Sequence, residues 1–332
     1  MVVTTENTHT SLGELAVGVD GTPESFAALQ WAMRESNITR QMVHAIYGWT
    51  HSWDLGDEPT SPDEWERVRK LINVELEQWA DTASEGLDFD RSRLRLTSVH
   101  SAGSTALLDI GQRAHQIVVG RRTMNAVARW FFGSMSENLV SQASVPVTVV
   151  RPSGIESFDT PQDERDAREK MLNRVAEGTA ASVNEENLLG NDHALPIIVG
   201  VDGSQVSLRA LDFAIEAARL ENRELHIFYF WQLKSLATIM EREDAIPSIE
   251  EGRDFAEKTL DSIVKQAQIP QGMVVKKHVV HASAAKGLLE ASRFAKRIIV
   301  GSRGLGKFDQ HVLGSVSHQL LEKSLTTVTI VH

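Results

Sequence analysis

The chain has 332 residues, 42% hydrophobic and 24% charged, a composition suited to a packed globular protein of about two domains. A net charge of −11 argues against duplex nucleic acid as the main partner, because faces that bind it are strongly basic. The absence of cysteine excludes disulfides, thiol nucleophiles and Cys-ligated zinc, and no run of about 18 apolar residues is available to span a membrane.

The first eleven residues, MVVTTENTHTS, show no basic region followed by an apolar core, so no secretory leader and a cytoplasmic location are expected. A first strand is expected through AVGV, ending at Asp20-Gly21. Ser61-Pro62-Asp63-Glu64 reads as a helix start: an N-cap serine, a proline in the first turn and a reciprocal glutamate three residues after the cap. IVVG at 117–120 and VTVV at 147–150 read as buried strands. Residues 152–194 carry ten Asp/Glu against four Arg/Lys and read as a solvated acidic linker, with a possible helix at 162–177. Beyond it, strands are expected near 196–201, 224–230, 273–281, 297–301 and 327–331. Helices are expected near 205–220, 248–268, 284–296 and 315–324. Ala210, Leu211, Ala214, Ile215 and Ala218 give the first of these a helical stripe, and Ser248 with Glu251 repeats the capping box.

The two halves are copies of one unit. Residues 16–36 and 198–218 share nine identities in twenty-one ungapped positions, at an offset of 182. IVVG matches IIVG at 298–301, Gly133-Ser134 matches Gly314-Ser315, and VTVV matches VTIV at 328–331, all at 181. Trp49 matches Trp231, and His100 matches His281. Such internal repetition fixes the domain plan as 12–151, a linker at 152–194, and 195–332. Alternating strands and helices imply a doubly wound parallel five-stranded sheet in each unit, with ligands at the carboxyl ends of the strands near a topological switch point. The terminal strands, Val147–Val150 and Val328–Val331, are apolar edges and the expected seam of an intramolecular pseudo-two-fold pair.

Two loops of the second unit carry the chemistry. One is Gly200-Val201-Asp202-Gly203-Ser204, after the first strand. The other begins at Gly301-Ser302-Arg303-Gly304 and continues to Gly314-Ser315, a G-x2-G-x9-G-S spacing. Glycines at 301 and 304 allow a tight turn and close approach of backbone to a ligand. A helix starting near Gly314-Ser315 offers free N–H groups and a dipole to phosphate, with the Ser315 and Ser317 hydroxyls as further donors. Arg303 can neutralise phosphate or simply be solvated, and Asp202 can accept from an adenine amino group or ribose hydroxyls or cap its helix. The pattern is neither a Walker A loop nor a first-turn dinucleotide fingerprint.

With the VGVDGS start, the strand context and the duplication, this loop resembles that of the tandem universal stress proteins, over both units and nearly everything outside the linker. The resemblance implies a Rossmann-like, adenine nucleotide alpha hydrolase-like fold and an ATP site in the second unit. It implies that Gly200, Val201, Asp202 and the Phe230 backbone meet the adenosine, that Gly301 and Gly304 line the ribose-triphosphate loop, with Arg303 beside it, and that Gly314, Ser315, Val316 and Ser317 hold phosphates. Mg or Mn would be bound through those phosphates. Phe230 departs from the small aliphatic residue common at that position.

The first unit keeps Asp20, Gly120, Gly133 and Ser134 but has Thr123 in place of Gly304, and Trp130-Phe131-Phe132 in place of His311-Val312-Leu313. If position 123 requires a positive φ, threonine is disfavoured there, so this loop reads as degenerate. His100 and His281 read as structural, and His51, His311 and His318 lack metal-ligand spacing. No attacking base, nucleophile or carboxylate cluster is evident, so no catalytic residue is assigned. The leading expectation is an ATP-binding stress-response or regulatory protein with little or no catalysis. The alternatives are a nucleotide-free interaction module and a slow ATP-hydrolysing or adenylyl-transferring enzyme. The sequence leaves open a homodimer and the identity of any regulatory protein partner.

Overall fold

The computed structural model describes residues 13–50, 59–121, 139–151, 195–233, 248–304 and 313–332. The expected linker with its helix at 162–177, Thr123, the segment Trp130-Phe131-Phe132, Gly133-Ser134 and residues 311–312 lie outside these residues.

The first half runs β1 (Leu15–Gly18), α1 (Pro23–Thr39), β2 (Val43–Trp49), α2 (Pro62–Ser84), β3 (Leu94–His100), α3 (Gly103–Gly111), β4 (Gln116–Gly120) and β5 (Val147–Val150). The second runs β6 (Ile197–Val201), α4 (Gln205–Leu220), β7 (Leu225–Trp231), α5 (Ile249–Gln266), β8 (Val275–His281), α6 (Ala284–Ala291), β9 (Arg297–Gly301), α7 (Ser315–Lys323) and β10 (Thr327–Val331). The helix starts follow from their caps. Ser61 and Ser248 each form a complete capping box, with Glu64 and Glu251. The Thr22 and Ser204 side chains accept from the N–H groups of Ser25 and Ser207. The helix expected near 284–296 stops short: Ala284–Ala291 is α-helical and Ser292–Phe294 tightens into a 3-10 turn.

The strands form one ten-stranded sheet in the order β3-β2-β1-β4-β5-β10-β9-β6-β7-β8. Pairing is parallel within each half. At the centre β5 and β10 pair antiparallel, with Val149 opposite Val328, Thr148 opposite Thr329 and Val147 opposite Ile330. The terminal strands are therefore the seam, and each apolar edge is covered by its copy. All four residues of β5 and all five of β10 are buried, as expected of a strand covered on both faces.

Burial divides the core in a way that explains the pairing. α1 and α2 cover one face of the first half and α4 and α5 one face of the second, over separate apolar clusters. On the other face a single cluster runs through both halves, from Ile117, Leu139 and Val147 to Ile298, Leu320 and Ile330. A buried polar knot also joins the halves. Arg297, at the start of β9, places Nη2 2.6 Å from Glu221 Oε1 and 4.0 Å from Glu35 Oε2 of α1, with its guanidinium 5.3 Å from the Trp31 ring centre. Burial raises the Glu35 carboxyl to about 7, against the opposing pull of Arg297.

Candidate functional site

In each half the strand order reverses direction between its first and fourth strands. In the second half these are β6 and β9, paired from Ile197–Arg297 to Gly200–Val300. A crevice at their carboxyl ends is the expected ligand position for an open α/β sheet. Asp202 follows β6 and Ser302-Arg303-Gly304 follow β9, so the two loops face each other there.

Asp202 is half-buried. Its N–H donates to Ser207 Oγ at 3.3 Å, and its Oδ1 accepts from the Ser204 N–H at 2.9 Å, closing a turn through Gly203. Gly203 has φ 86°, a left-handed conformation that favours glycine. Oδ2 points toward Gly304: a Cβ at that position would overlap it and pass 3.6 Å from Asp202 Cγ. Gly304 is not among the glycines with positive φ, so conformational freedom is not its reason for being glycine. The reason is space beside the Asp202 carboxylate. Gly301 is similarly confined, since a Cβ would lie 2.9 Å from Val206 Cγ1 and 3.1 Å from the Arg303 carbonyl.

The far end of the loop is closed by backbone bonds. The Gly314 N–H donates to the Ser302 carbonyl at 2.8 Å, and the Ser302 N–H donates to that of Val331 at 2.7 Å. Gly314 is the N-cap of α7 and supplies no side-chain cap, so the first-turn N–H groups at Ser315, Val316 and Ser317 have no capping side chain. Ser315 is exposed and Val316 partly packed on the shared core. Ser317 is buried, and its hydroxyl donates to the Gly301 carbonyl at 2.7 Å. That hydroxyl therefore ties the helix start to β9 in this conformation, leaving the backbone N–H as what Ser317 offers a phosphate. Arg303 and Arg209 both lie near His332. His332 is pushed down to about 4, first by burial and then by those two cations.

Gly200 and Val201 form the end of β6, where a Cβ at 200 would press 3.0 Å from Leu288 Cδ1. Phe230 sits near the end of β7, its ring stacked 5.8 Å from Phe228 and turned toward α6. Gly287 of α6 lies so close beneath it that any Cβ there would overlap the ring. The first half reverses this arrangement: Gly48 on β2 faces α3, where a Cβ at 48 would overlap the Gly103 backbone, 2.6 Å from its Cα, and fall 3.0 Å from the Ala106 methyl. Bulk on the strand in one half replaces bulk on the helix in the other, so the Phe230 ring packs in the core while its backbone stays at the strand edge.

The matched aromatic positions meet as pairs. Trp49 stacks on His100 with centres 4.5 Å apart, and Trp231 on His281 at 4.3 Å. These histidines pack structurally. Sequence reasoning missed the contrast at the matched tyrosines. Tyr229, raised first by burial and then by the Asp202 charge, is hydrogen-bonded with Thr259. Tyr47 instead packs 4.8 Å from Trp79, whose indole lies over Gly21, 2.6 Å from where a Cβ would sit. Asp20 Oδ1 accepts both the Thr22 hydroxyl at 2.6 Å and the Thr22 N–H at 3.2 Å. The sequence hides this contrast, because the N-caps of α2 and α5, Ser61 and Ser248, do not keep the offset of the strands before them.

A family model described as the universal stress protein family matches residues 13–151 and again residues 195–332. The chain belongs to that family. A universal stress protein of Mycolicibacterium smegmatis is 28% identical over 328 residues, covering 96% of each chain. One from Mycobacterium tuberculosis is 27% identical over 337 residues, 97% of this chain and 95% of its own. Among solved structures, a universal stress protein from Archaeoglobus fulgidus superposes with a TM-score of 0.57 at 16% identity, covering 96% of this chain and 95% of that one. A similar protein from Pseudomonas aeruginosa gives 0.52 at 12% identity, over 95% and 91%. The shared fold thus extends over both universal stress protein units in tandem. Among the described residues no helix is long and apolar enough to cross a membrane.

Proposed function

We propose that this universal stress protein is an ATP-binding regulatory protein of the stress response, holding one nucleotide per chain in its second half with little or no turnover. The observation that supports this best is the paired loop geometry: a half-buried carboxylate at Asp202, a glycine at 304 kept open beside it, and an uncapped helix start at Gly314 on the same sheet edge. A carboxylate suits adenosine hydroxyl or amino donors, and uncapped N–H groups with a helix dipole suit phosphate. In this reading Asp202 and the Phe230 backbone meet the adenosine, with Gly200 and Val201 beneath. Gly301, Arg303 and Gly304 line the loop, and the N–H groups from Gly314 to Ser317 receive phosphate. Among the described residues no group of three or more His, Asp or Glu is placed to hold a metal ion, so Mg or Mn would ride on the phosphates and neutralise their charge.

The contrast between the halves supports a single nucleotide. In the first half the Trp79 indole lies over the turn at Gly21 and the Thr22 hydroxyl occupies Asp20. Phosphoryl transfer depends on positioning and charge stabilisation, so slow turnover is part of this reading and is measured below.

The test is calorimetric titration with ATP and magnesium. Expected are a stoichiometry near one, loss of binding in Gly314→Lys and Asp202→Ala, retention in Asp20→Ala, and turnover below ~1 s⁻¹. No binding by the wild-type chain, or equal affinity in Gly314→Lys, overturns the site. A stoichiometry near two overturns the asymmetry, and faster turnover makes the protein an enzyme.

A further inference from the structure

The second half's nucleotide loop ends in α7, and the first half holds that helix from its other end. Arg121 directly follows β4, where the first half's own loop begins. Its side chain crosses the seam and donates to the carbonyl of Ser324, at 3.2 Å, and to that of Glu322. Arg151, directly after β5, donates to the same Ser324 carbonyl. Glu322 belongs to the last turn of α7 and Ser324 is its C-cap, so two guanidinium groups sit on carbonyls that a helix end leaves without intrahelical partners. Both arginines are half-buried, and burial lowers the pKa of each, Arg121 to about 10, which leaves Arg121 cationic at neutral pH.

The matched positions of the second half carry different residues. The positions matched to Arg121 and Arg151 at the offset of 181 are Ser302 and His332. The backbone is the same in both halves, with Arg121 N–H on the Val150 carbonyl and Ser302 N–H on the Val331 carbonyl. The side chains differ: Ser302 is too short to reach across the seam as Arg121 does.

We propose that Arg121 and Arg151 are positioning residues for the phosphate end of the second half's site, acting through α7. The proposal rests on the nucleotide reading above. α7 has nine residues, so it spans about 14 Å and is too short to be stable without its packing. It is anchored along its length by buried Leu320 and Leu321 and at its start by Ser317 on Gly301. The arginines fix the remaining end. Cations at a helix C-terminus also favour the dipole orientation that draws anions to the N-terminus. A helix held at both ends keeps its first-turn N–H groups aimed at one place. One freed at its C-terminus frays from there, and the first turn loses alignment.

This predicts a phosphate-selective defect, which general destabilisation would not produce. The experiment measures ATP and adenosine affinities in the full chain for the wild type, Arg121→Gln/Arg151→Gln, and Arg121→Lys/Arg151→Lys. The glutamine pair should weaken ATP by about threefold or more while leaving adenosine unchanged, a coupling of the size seen for residues remote from a ligand. The lysine pair, keeping charge and part of the reach, should recover much of the loss. If the double variant does not fold, Arg151→Gln alone is read by the same ratio of affinities. An unchanged ratio in a folded variant overturns the proposal, and so does an equal fall for both ligands. A wild-type chain that binds neither ligand overturns the nucleotide reading and this inference with it, whereas a wild-type chain that binds beside an unaltered variant overturns the inference alone.

Discussion

Thr148 and Thr329 face each other across the seam with hydroxyl oxygens 2.8 Å apart, both fully buried and at matched positions of the repeat. The pseudo-two-fold relation between the halves passes between them. Thr148 also donates to Gln116 Oε1 at 2.6 Å, so the pair belongs to a small buried polar chain. Replacing Thr329 with valine should cost about 1 kcal/mol, because Thr148 loses a partner it cannot exchange for water. Replacing it with aspartate should cost several times more, by burying a charge between two strands. Urea melts of the full chain read both. Near-wild-type stability for the aspartate variant would contradict a buried seam.

Gly304 should not tolerate the threonine found at the matched position of the first half. Gly304→Thr puts a branched side chain against Asp202 Oδ2, so ATP affinity should fall about tenfold or more, equivalent to ~1.4 kcal/mol. Because Gly304 is exposed, the melting temperature should barely move. Calorimetry beside thermal melts checks both, and undiminished affinity would remove the steric argument.

Phe230 and Gly287 should behave as a coupled pair. Gly287→Ala alone forces a methyl into the Phe230 ring and should cost ~1–3 kcal/mol through overpacking. Adding Phe230→Leu should recover part of that, as Gly48 and Ala106 already do in the first half. A double-mutant cycle in urea measures the coupling, and strictly additive losses would count against it.

Two buried groups give stability opposite pH dependences. Glu35 titrates near 7 when folded against 4.5 as an ordinary carboxyl, raised chiefly by burial. Between those values the folded chain keeps a proton that the unfolded chain has lost, so stability falls as pH rises from about 4.5 through 7, by on the order of 3 kcal/mol. His278 is pushed down to about 3, by burial first and then by His226 and Lys276. Below the ordinary 6.5 the unfolded chain takes up a proton that the folded chain refuses, so stability falls as pH drops from 6.5 toward 3. Glu35→Gln should remove the decline toward neutral pH and leave the acid limb. His278→Phe, stacking where the imidazole already lies 4.4 Å from Phe228, should weaken the acid limb, with His226 keeping part of it. Stability curves from pH 4 to 8 check this, and a Glu35→Gln curve parallel to the wild type would refute the assignment.

The strands and the seam were legible because they are short apolar runs that recur at a fixed offset. Ile197–Val201 and Thr327–Val331 need no tertiary information to be read as buried strands. The Gly-rich spacing was equally plain, because glycine leaves few competing explanations at a strand end. What glycine at 304 is for was not legible: its neighbour, Asp202, lies about a hundred residues away, and only the sheet brings them together. Ser317 read as a phosphate donor because a hydroxyl at a helix start usually faces outward, whereas here it turns in to the Gly301 carbonyl. The roles of Arg121 and Arg151 were hidden for a related reason. A charged side chain after a strand reads as solvated, and its partners belong to the other copy of the repeat.

The grip of the first half on α7 has a consequence for how such a molecule can arise. Two separate chains with these halves would sort into like and unlike pairs, and only the unlike pair would place Arg121 and Arg151 against Ser324. Covalent connection makes the encounter intramolecular, at an effective concentration that for flexible tethers reaches the millimolar range. Each half then always meets the other and never itself. Under that condition a substitution in one copy needs to suit only its fixed neighbour, and one copy is free to shed a pocket while keeping a supporting role.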